Sequence, residues 1–510
     1  MRRIFPVLLA LLCLAGCTPA LPMPAPTPAP PPVPTQDLQV VRQSFVLPYY
    51  PNQELHPITG QNRTNLALMP LVYEGLFAHD AAGVPQGVLC TGQTVSEDGL
   101  TWTFSIRTGV TFSDGSPLTP ADAADSLRLA KGENSIYAAR LAGVSGIAAG
   151  KGTVVLTLTS PNGNLPALLD IPIVRAGAGG TLGTGPYGFS GGGEALTLTA
   201  NPGWWQKKAL PLEEIALYAV QGADGLIHAF DTGAVSLVTA DLTGTNALGY
   251  SGSYEVWDYP TSVMLYIGYN AKTGPCKDPA VRKALSYGYE RAAVAKSLLA
   301  RHATAAALPV PPESPLYDRS LADRLEYAPQ TMAELLNRAG WRVQDGVLRS
   351  GRTALELTFL VNMDNSYKVA VAEYLASALT RAGIGVDLQK CSWEDYNKAL
   401  AEGDFDLYLG QVRLTGDFDL TPLVGEAGSL NFGGYADGET QTLLAAFRAA
   451  GDAARPAAAA ALYTRLAETA PFTPLCFKRW SVLTHWGSLT GLTPTQQNIF
   501  YGLDRWRPAQ

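Results

Sequence analysis

The sequence predicts a mixed α/β protein of two lobes, one of mixed β-structure and one doubly wound. Three observations carry this. Clean period-two alternation recurs in the first half, as in Trp102, Phe104 and Ile106. The second half instead reads strand, helix, strand, helix, strand from Leu355 to Leu409, the pattern of parallel strands with right-handed crossovers. The length of 510 residues is also too great for one hydrophobic core and enough for two or three.

The elements follow in order. Arg2 and Arg3 precede an apolar run from Ile4 to Leu14, too short for the roughly 20 residues a membrane span needs and suited to a signal h-region. It ends in Leu14-Ala15-Gly16-Cys17, which looks like a bacterial lipobox, with cleavage before an acylated Cys17. More than one acyl chain gives stable anchoring, at about 0.8 kcal/mol per buried CH₂. From Thr18 to Thr35 the chain is rich in Pro and Ala and carries no charge, so an extended, semi-rigid stalk is expected.

Asp98-Gly99 marks a turn before the strand that carries Trp102. Thr119, Pro120 and Asp122 stand at N-cap, N1 and N3 of a helix, as in a capping box. Residues 152–160 and 194–201 alternate as half-buried antiparallel strands do. Asp278-Pro279 opens a helix expected to run to Leu299. Leu355–Val361 is a strand, Tyr367–Ala382 a helix ended by Gly383, and Gly385–Cys391 a strand. Trp393–Leu400 is a helix and Phe405–Leu409 a third strand. The second half does not copy the first, so no internal repeat is expected.

Composition narrows function. The net charge is −7, and loss of Arg2 and Arg3 takes the mature chain to −9. Without Lys/Arg runs, this argues against nucleic acid and against adhesion to anionic lipid by charge. After Cys13 and Cys17 the chain keeps Cys90, Cys276, Cys391 and Cys476, whose wide spacing resembles no disulfide scaffold and no zinc motif. The five histidines are scattered singly.

Gly188-Phe189-Ser190-Gly191-Gly192 matches a nucleophile elbow, but a strand follows where a helix must open. Gly183-Thr184-Gly185-Pro186-Tyr187-Gly188 matches a dinucleotide fingerprint, yet no helix N-terminus follows and Pro186 removes a donor. Neither an enzyme nor a cofactor or metal is expected.

Several stretches, taken in order, resemble one family. They are Leu71-Val72-Tyr73-Glu74-Gly75-Leu76-Phe77, Ser96–Phe104, Phe112–Thr119, Gly183–Tyr187, Asn201-Pro202 and Tyr266–Asn270. Asp278–Leu285, Glu290-Arg291, Ala339-Gly340-Trp341 and Gly403–Leu407 complete the set. Together they span about residues 45–480. This order is similar to that of the family 5 solute-binding proteins of ABC importers, the oligopeptide-, dipeptide- and nickel-binding group.

The resemblance implies a two-lobed periplasmic-binding-protein-like fold (class II, large family 5 type) with a ligand cleft between lobes. It implies strands crossing near 259–270 and 471–480. The implied organisation is a signal over 1–17, a linker over 18–36, lobe I over 37–265 with an extra subdomain, lobe II over 266–475, and a return to lobe I over 476–510. The implied function is capture of a small solute, a peptide foremost, for delivery to an ABC permease driven by ATPase subunits. The protein is expected to be extracytoplasmic, lipid-anchored and monomeric. A surface sensor or chaperone on the same scaffold is the alternative.

Peptide binders of this family carry an aspartate that pairs with the peptide amino group. Here its position falls near Thr415, with Arg413 before it and Asp417 and Asp419 beyond. Arg413 follows the strand Phe405–Leu409, at the carboxyl end of a parallel sheet, where open α/β sheets place ligand contacts. A guanidinium there suits a carboxylate or other oxyanion. The candidate ligand-binding residues are therefore Arg413, Asp417 and Asp419, with Tyr73 and Tyr266 as apolar walls. Asp419, ahead of Leu420-Thr421-Pro422, also reads as a helix cap.

Overall fold

Alternating side chains build the first β-layer in a computed structural model that describes residues 45–192 and 195–508. The signal, Cys17 and the Pro-rich linker lie outside the described residues. Thr101–Ile106 buries Trp102, Phe104 and Ile106 on one face. It pairs antiparallel with Cys90–Val95 on one side and Thr153–Leu158 on the other, and Val144–Ala149 completes the four-stranded sheet. Helix Pro120–Lys131 starts with the capping box read from Thr119 and Asp122 and sinks Ala123, Ala124, Leu127 and Ala130 into the same core. A second four-stranded sheet joins Val46–Tyr49, Glu214–Ala219, Thr197–Ala200 and Tyr187–Ser190. The elbow-like Gly188–Gly192 stretch lies in and just beyond the last of these strands and carries no helix.

The largest sheet holds both halves of the molecule. Its order is Leu237–Ala240, Phe472–His485, Tyr254–Tyr269, Leu407–Arg413, Glu356–Asn362, Gly385–Cys391, with Ala303–Ala305 beside the second strand. Tyr254–Tyr269 and Phe472–His485 are long enough to belong to two cores. Their outer halves, Tyr254–Pro260 against Arg479–His485, lie beside Leu237–Ala240. Their inner halves, Met264–Gly268 against Phe472–Phe477, lie beside the three parallel strands. The register slips between Pro260 and Met264. Pro260 has no N–H to give the ladder, and such irregularities bend a strand.

The cores follow this division. One joins residues of 45–217 to Val482, Phe500 and Trp506. Two others lie on residues 264–477. Cys90, Cys276, Cys391 and Cys476 are free thiols, and Cys276 and Cys476 are buried in one core. Among the described residues no helix is long and apolar enough to cross a membrane.

Three readings needed revision. The helix opened by Asp278 and Pro279 ends at Ser286, and Arg291–Ala293 resumes after a break that runs into a π-turn over Val294–Leu298. At the break a Cβ on Gly288 would stand 2.5 Å from Met332 Sδ. The kink also turns Tyr289 and Arg291 into the core. The third parallel strand is Leu407–Arg413, so Arg413 ends the strand and does not follow it. The parallel strands are also part of a mixed sheet, because the crossing strand Tyr254–Tyr269 runs antiparallel to Leu407–Arg413.

A second contact joins the two halves away from the crossing strands. Gly163 N–H donates to Arg448 O at 2.7 Å, Arg448 to Ser160 Oγ at 3.0 Å, and Asn162 to Asp417 Oδ2 at 2.9 Å. A Cβ on Gly163 would lie 2.3 Å from Ala450 O, a backbone atom that cannot swing aside. Gly163→Val is therefore expected to hold the halves apart at this edge. Small-angle scattering should then give a larger radius of gyration than wild type; an equal radius would show that the contact does not set the spacing.

Candidate functional site

Both halves line one cavity of about 1500 Å³. The first half supplies Tyr73, Glu74 and Arg140, the crossing strands supply Tyr259, Lys478 and Trp480, the strand Leu407–Arg413 supplies Arg413, and the helix Ser366–Arg381 supplies Lys368.

Local structure aims each group. Asn62 accepts a bond from Asn65 N–H at 3.0 Å and so starts the helix Arg63–Ala67 with Arg63 as its first residue. Lys478 and Trp480 are two apart on the strand Phe472–His485, which puts them on one face. Asn365 caps helix Ser366–Arg381 by accepting from Lys368 N–H at 2.9 Å, which fixes Lys368 in its first turn.

Glu74 forms part of the wall and is held by four donors. They are Thr184 Oγ1 at 2.7 Å, Trp204 Nε1 at 3.2 Å, Trp205 Nε1 at 2.8 Å and Gln206 Nε2 at 2.7 Å. Burial pushes its carboxyl pKa up while these donors pull it down. The guanidinium of Arg107 covers the Trp205 ring at 4.2 Å.

Charge in the cavity is uneven. Arg140 is paired with Asp170 at 2.5 Å, and Lys478 with Asp241 at 2.7 Å. Arg413 and Arg63 pair with no carboxylate among the described residues; their guanidinium groups lie 4.7 Å and 5.2 Å from the centre of the Trp480 ring. Arg413 is open to the cavity yet closely surrounded by protein. Desolvation first, and then the charges of Arg63 and Arg140, pull its pKa below the ordinary arginine value, while Tyr259 acts the other way.

Lys368 is likewise without a carboxylate within ion-pair distance. Desolvation, aided by Lys478 and opposed by Asp241, lowers its pKa to about 8. Since the unfolded chain holds this proton up to about pH 10.5, stability should rise with pH between about 8 and 10.5 on this account, and the penalty is complete below that window. Lys368→Met should accordingly raise the thermal midpoint at pH 7, with the gain shrinking to nothing above the window. A gain independent of pH would assign the effect to packing.

The expected site residues separate. Arg413 and Tyr73 line the cavity. Tyr73 is buried, its hydroxyl donates to Gly180 O, and burial pushes its pKa well up. Tyr266 lies outside the lining. It is packed edge-on against Tyr408 and Phe472, at 5.8 and 5.7 Å between ring centres, because alternation along its strand turns it into the second core. Asp417 is buried outside the lining as well, accepting from Thr415 Oγ1 at 2.6 Å and from Asn162. Asp419 accepts from Thr421 N–H at 2.9 Å and sits 3.4 Å from Arg448, but it is not the cap its sequence context suggested: Leu420 stands at the N-cap of Thr421–Val424, without a side-chain cap bond. Side-chain donors at Asp417, and Thr421 with Arg448 at Asp419, claim both aspartates before a solute can.

Arg63, Trp480, Lys368 and Lys478 were not among the sequence candidates. The only local signal is Lys478, a lysine directly after the apolar run Pro474–Phe477 of its strand, and it is 3% exposed. Arg63 and Lys368 are ordinary surface residue types and Trp480 reads as any strand aromatic; distant segments bring them together.

The family model for bacterial extracellular solute-binding proteins, family 5 (middle region), matches residues 84–423. Protein XP55 of Streptomyces lividans is 29% identical over 356 residues, covering 63% of this chain and 62% of that protein. Glutathione-binding protein GsiB of Salmonella choleraesuis (strain SC-B67) is 28% identical over 307 residues, covering 56% of this chain and 59% of that protein. The chain thus matches about three fifths of the length of these relatives. The structure of HbpA2 from Haemophilus parasuis superposes with a TM-score of 0.74 at 19% identity, covering 91% of this chain and 100% of that chain, which is a likeness of fold.

Proposed function

Because the chain belongs to the family 5 bacterial extracellular solute-binding proteins, we propose that it captures a peptide or similar small solute outside the cytoplasm and delivers it to an ABC permease whose ATPase subunits drive import. The observation that carries the reading is the cavity of about 1500 Å³ lined by both halves and spanned by the two crossing strands. A site split between two bodies is completed only when both faces meet, so solute stabilises the closed form through contacts the open form lacks. Lobe I is taken as 37–265 with a return over 476–510, and lobe II as 266–475. Arg413 and Tyr73 are the proposed solute contacts from the sequence candidates. The protein acts as a monomer and as a binder without catalytic chemistry. The name of GsiB, a glutathione-binding protein, supports a solute of small-peptide size.

Native mass spectrometry of the purified protein tests capture. A small molecule retained at one per chain is expected, and small-angle scattering should show a smaller radius of gyration with it than after its removal. A protein that retains none, and whose radius no added peptide changes, would not be a capture protein.

The proposal includes a lipid anchor at Cys17, supported by Leu14-Ala15-Gly16 before it and the uncharged stalk behind it. Cys17→Ser should abolish incorporation of labelled fatty acid and leave the precursor uncut at this point. Undiminished labelling would exclude the anchor.

A further inference from the structure

We infer that the solute carries at least two anionic groups and is held without recognition of an amino group. This rests on the capture reading above and narrows it. The lining carboxylates are already engaged. Glu74 accepts from four donors, Asp170 from Arg140, and Asp241 from Lys478. Asp80 is bound by Ala82 N–H at 2.9 Å, Val84 N–H at 3.0 Å and Gln86 at 3.2 Å. Asp504 is the remaining carboxylate of the lining; it is exposed, as Arg63 and Arg413 are, and makes no ion pair among the described residues. Apart from Asp504, the lining therefore offers an ammonium group no uncommitted carboxylate. It offers anions Arg63, Arg413 and Lys368, each without an ion pair among the described residues.

These cations form two groups. Arg63 and Arg413 stand on Trp480, and Lys368 stands by Lys478. Trp480 and Lys478 are two residues apart on one strand, so the groups are centred on the order of 7 Å from each other along it. Buried or partly desolvated guanidinium groups bind carboxylate and other oxyanions by paired N–H donors, and an ammonium serves as a point charge for a second. In a chain of net charge −7, unpaired cations gathered inside one cavity also focus an attractive field on an incoming anion. The solute class is thus a dicarboxylate, an acidic peptide or another solute with two oxyanions separated by several ångströms.

Calorimetry with the full chain tests this with four probes: Glu-Glu, N-acetyl-Glu-Glu, Ala-Ala-Ala and Lys-Lys. The two acidic probes should bind within threefold of each other, and the neutral and basic ones at least tenfold more weakly. Arg413→Ala, Arg63→Ala and Lys368→Met should each weaken the acidic probes at least tenfold with the thermal transition retained. Loss of binding on N-acetylation, preferred binding of Ala-Ala-Ala or Lys-Lys, or unchanged affinity in the three variants would overturn the inference. So would failure of both acidic probes. In that case a neutral or basic molecule retained in native mass spectrometry leaves solute capture standing, and the absence of any retained molecule removes both.

Discussion

Arg291→Met should lower the urea midpoint of unfolding more than any substitution in the cavity. Arg291 is 7% exposed and makes no ion pair among the described residues. Its guanidinium instead donates to Pro474 O at 2.8 Å, Leu325 O at 2.8 Å and Ser286 O at 3.4 Å. Pro474 lies on a crossing strand, Leu325 follows a short helix, and Ser286 ends the helix broken at Gly288. One side chain therefore links the backbones of three segments that also pack in shared cores. Methionine fills similar space but leaves those carbonyls without donors, at about 1–3 kcal/mol for each that water cannot reach. A loss of about 3–5 kcal/mol is expected, a large share of the roughly 5–15 kcal/mol that domains possess. Arg291→Lys should lose nearly as much, since a single ammonium cannot span the same three acceptors. A methionine variant with the wild-type midpoint would show that water or a local shift satisfies the carbonyls.

Glu74→Ala should combine a stability loss with a damaged cavity. The substitution strands four donors at once, Thr184, Trp204, Trp205 and Gln206. Hydrogen bonds to a charged acceptor contribute about 1.5–3 kcal/mol each, and they are not additive within one cluster, so a total of about 3–4 kcal/mol is expected. Trp204 and Gln206 line the cavity with Glu74 itself, so their loop should loosen where the solute sits. Glu74→Gln should lose less, because one amide oxygen can still accept from two of the donors. Protection of the Trp204 and Trp205 indole N–H groups from hydrogen exchange reads the effect directly. Protection unchanged in the alanine variant would mean that other contacts hold the loop.

Much of the fold was legible along the chain because it depends on near neighbours. The capping box of Thr119 and Asp122 needs two residues three apart, and it appears as read. Gly385–Cys391 appears with the bounds the alternation gave, and Gly383, at φ +88°, ends the helix before it. Gly288 shows where such reading fails. The residues after it continue a helical pattern, and only Met332, 44 positions away in the chain, makes the break visible.

The site divides in the same way. The segment around Arg413 could be placed at a strand's carboxyl end from periodicity alone, and that position does face the cavity. Asp417 and Asp419 were both candidates, Asp419 the weaker for its cap-like context, yet Thr415 and Asn162 occupy the first and Thr421 the second. Sequence thus determined the elements, their order and the family, since period, capping and motif order are properties of adjacent residues. Tertiary structure alone decided which charges remain unpaired. Arg63, Arg413 and Trp480 come from three distant segments, and whether a cation there meets a carboxylate or faces the cavity depends on how two cores close around one pair of strands.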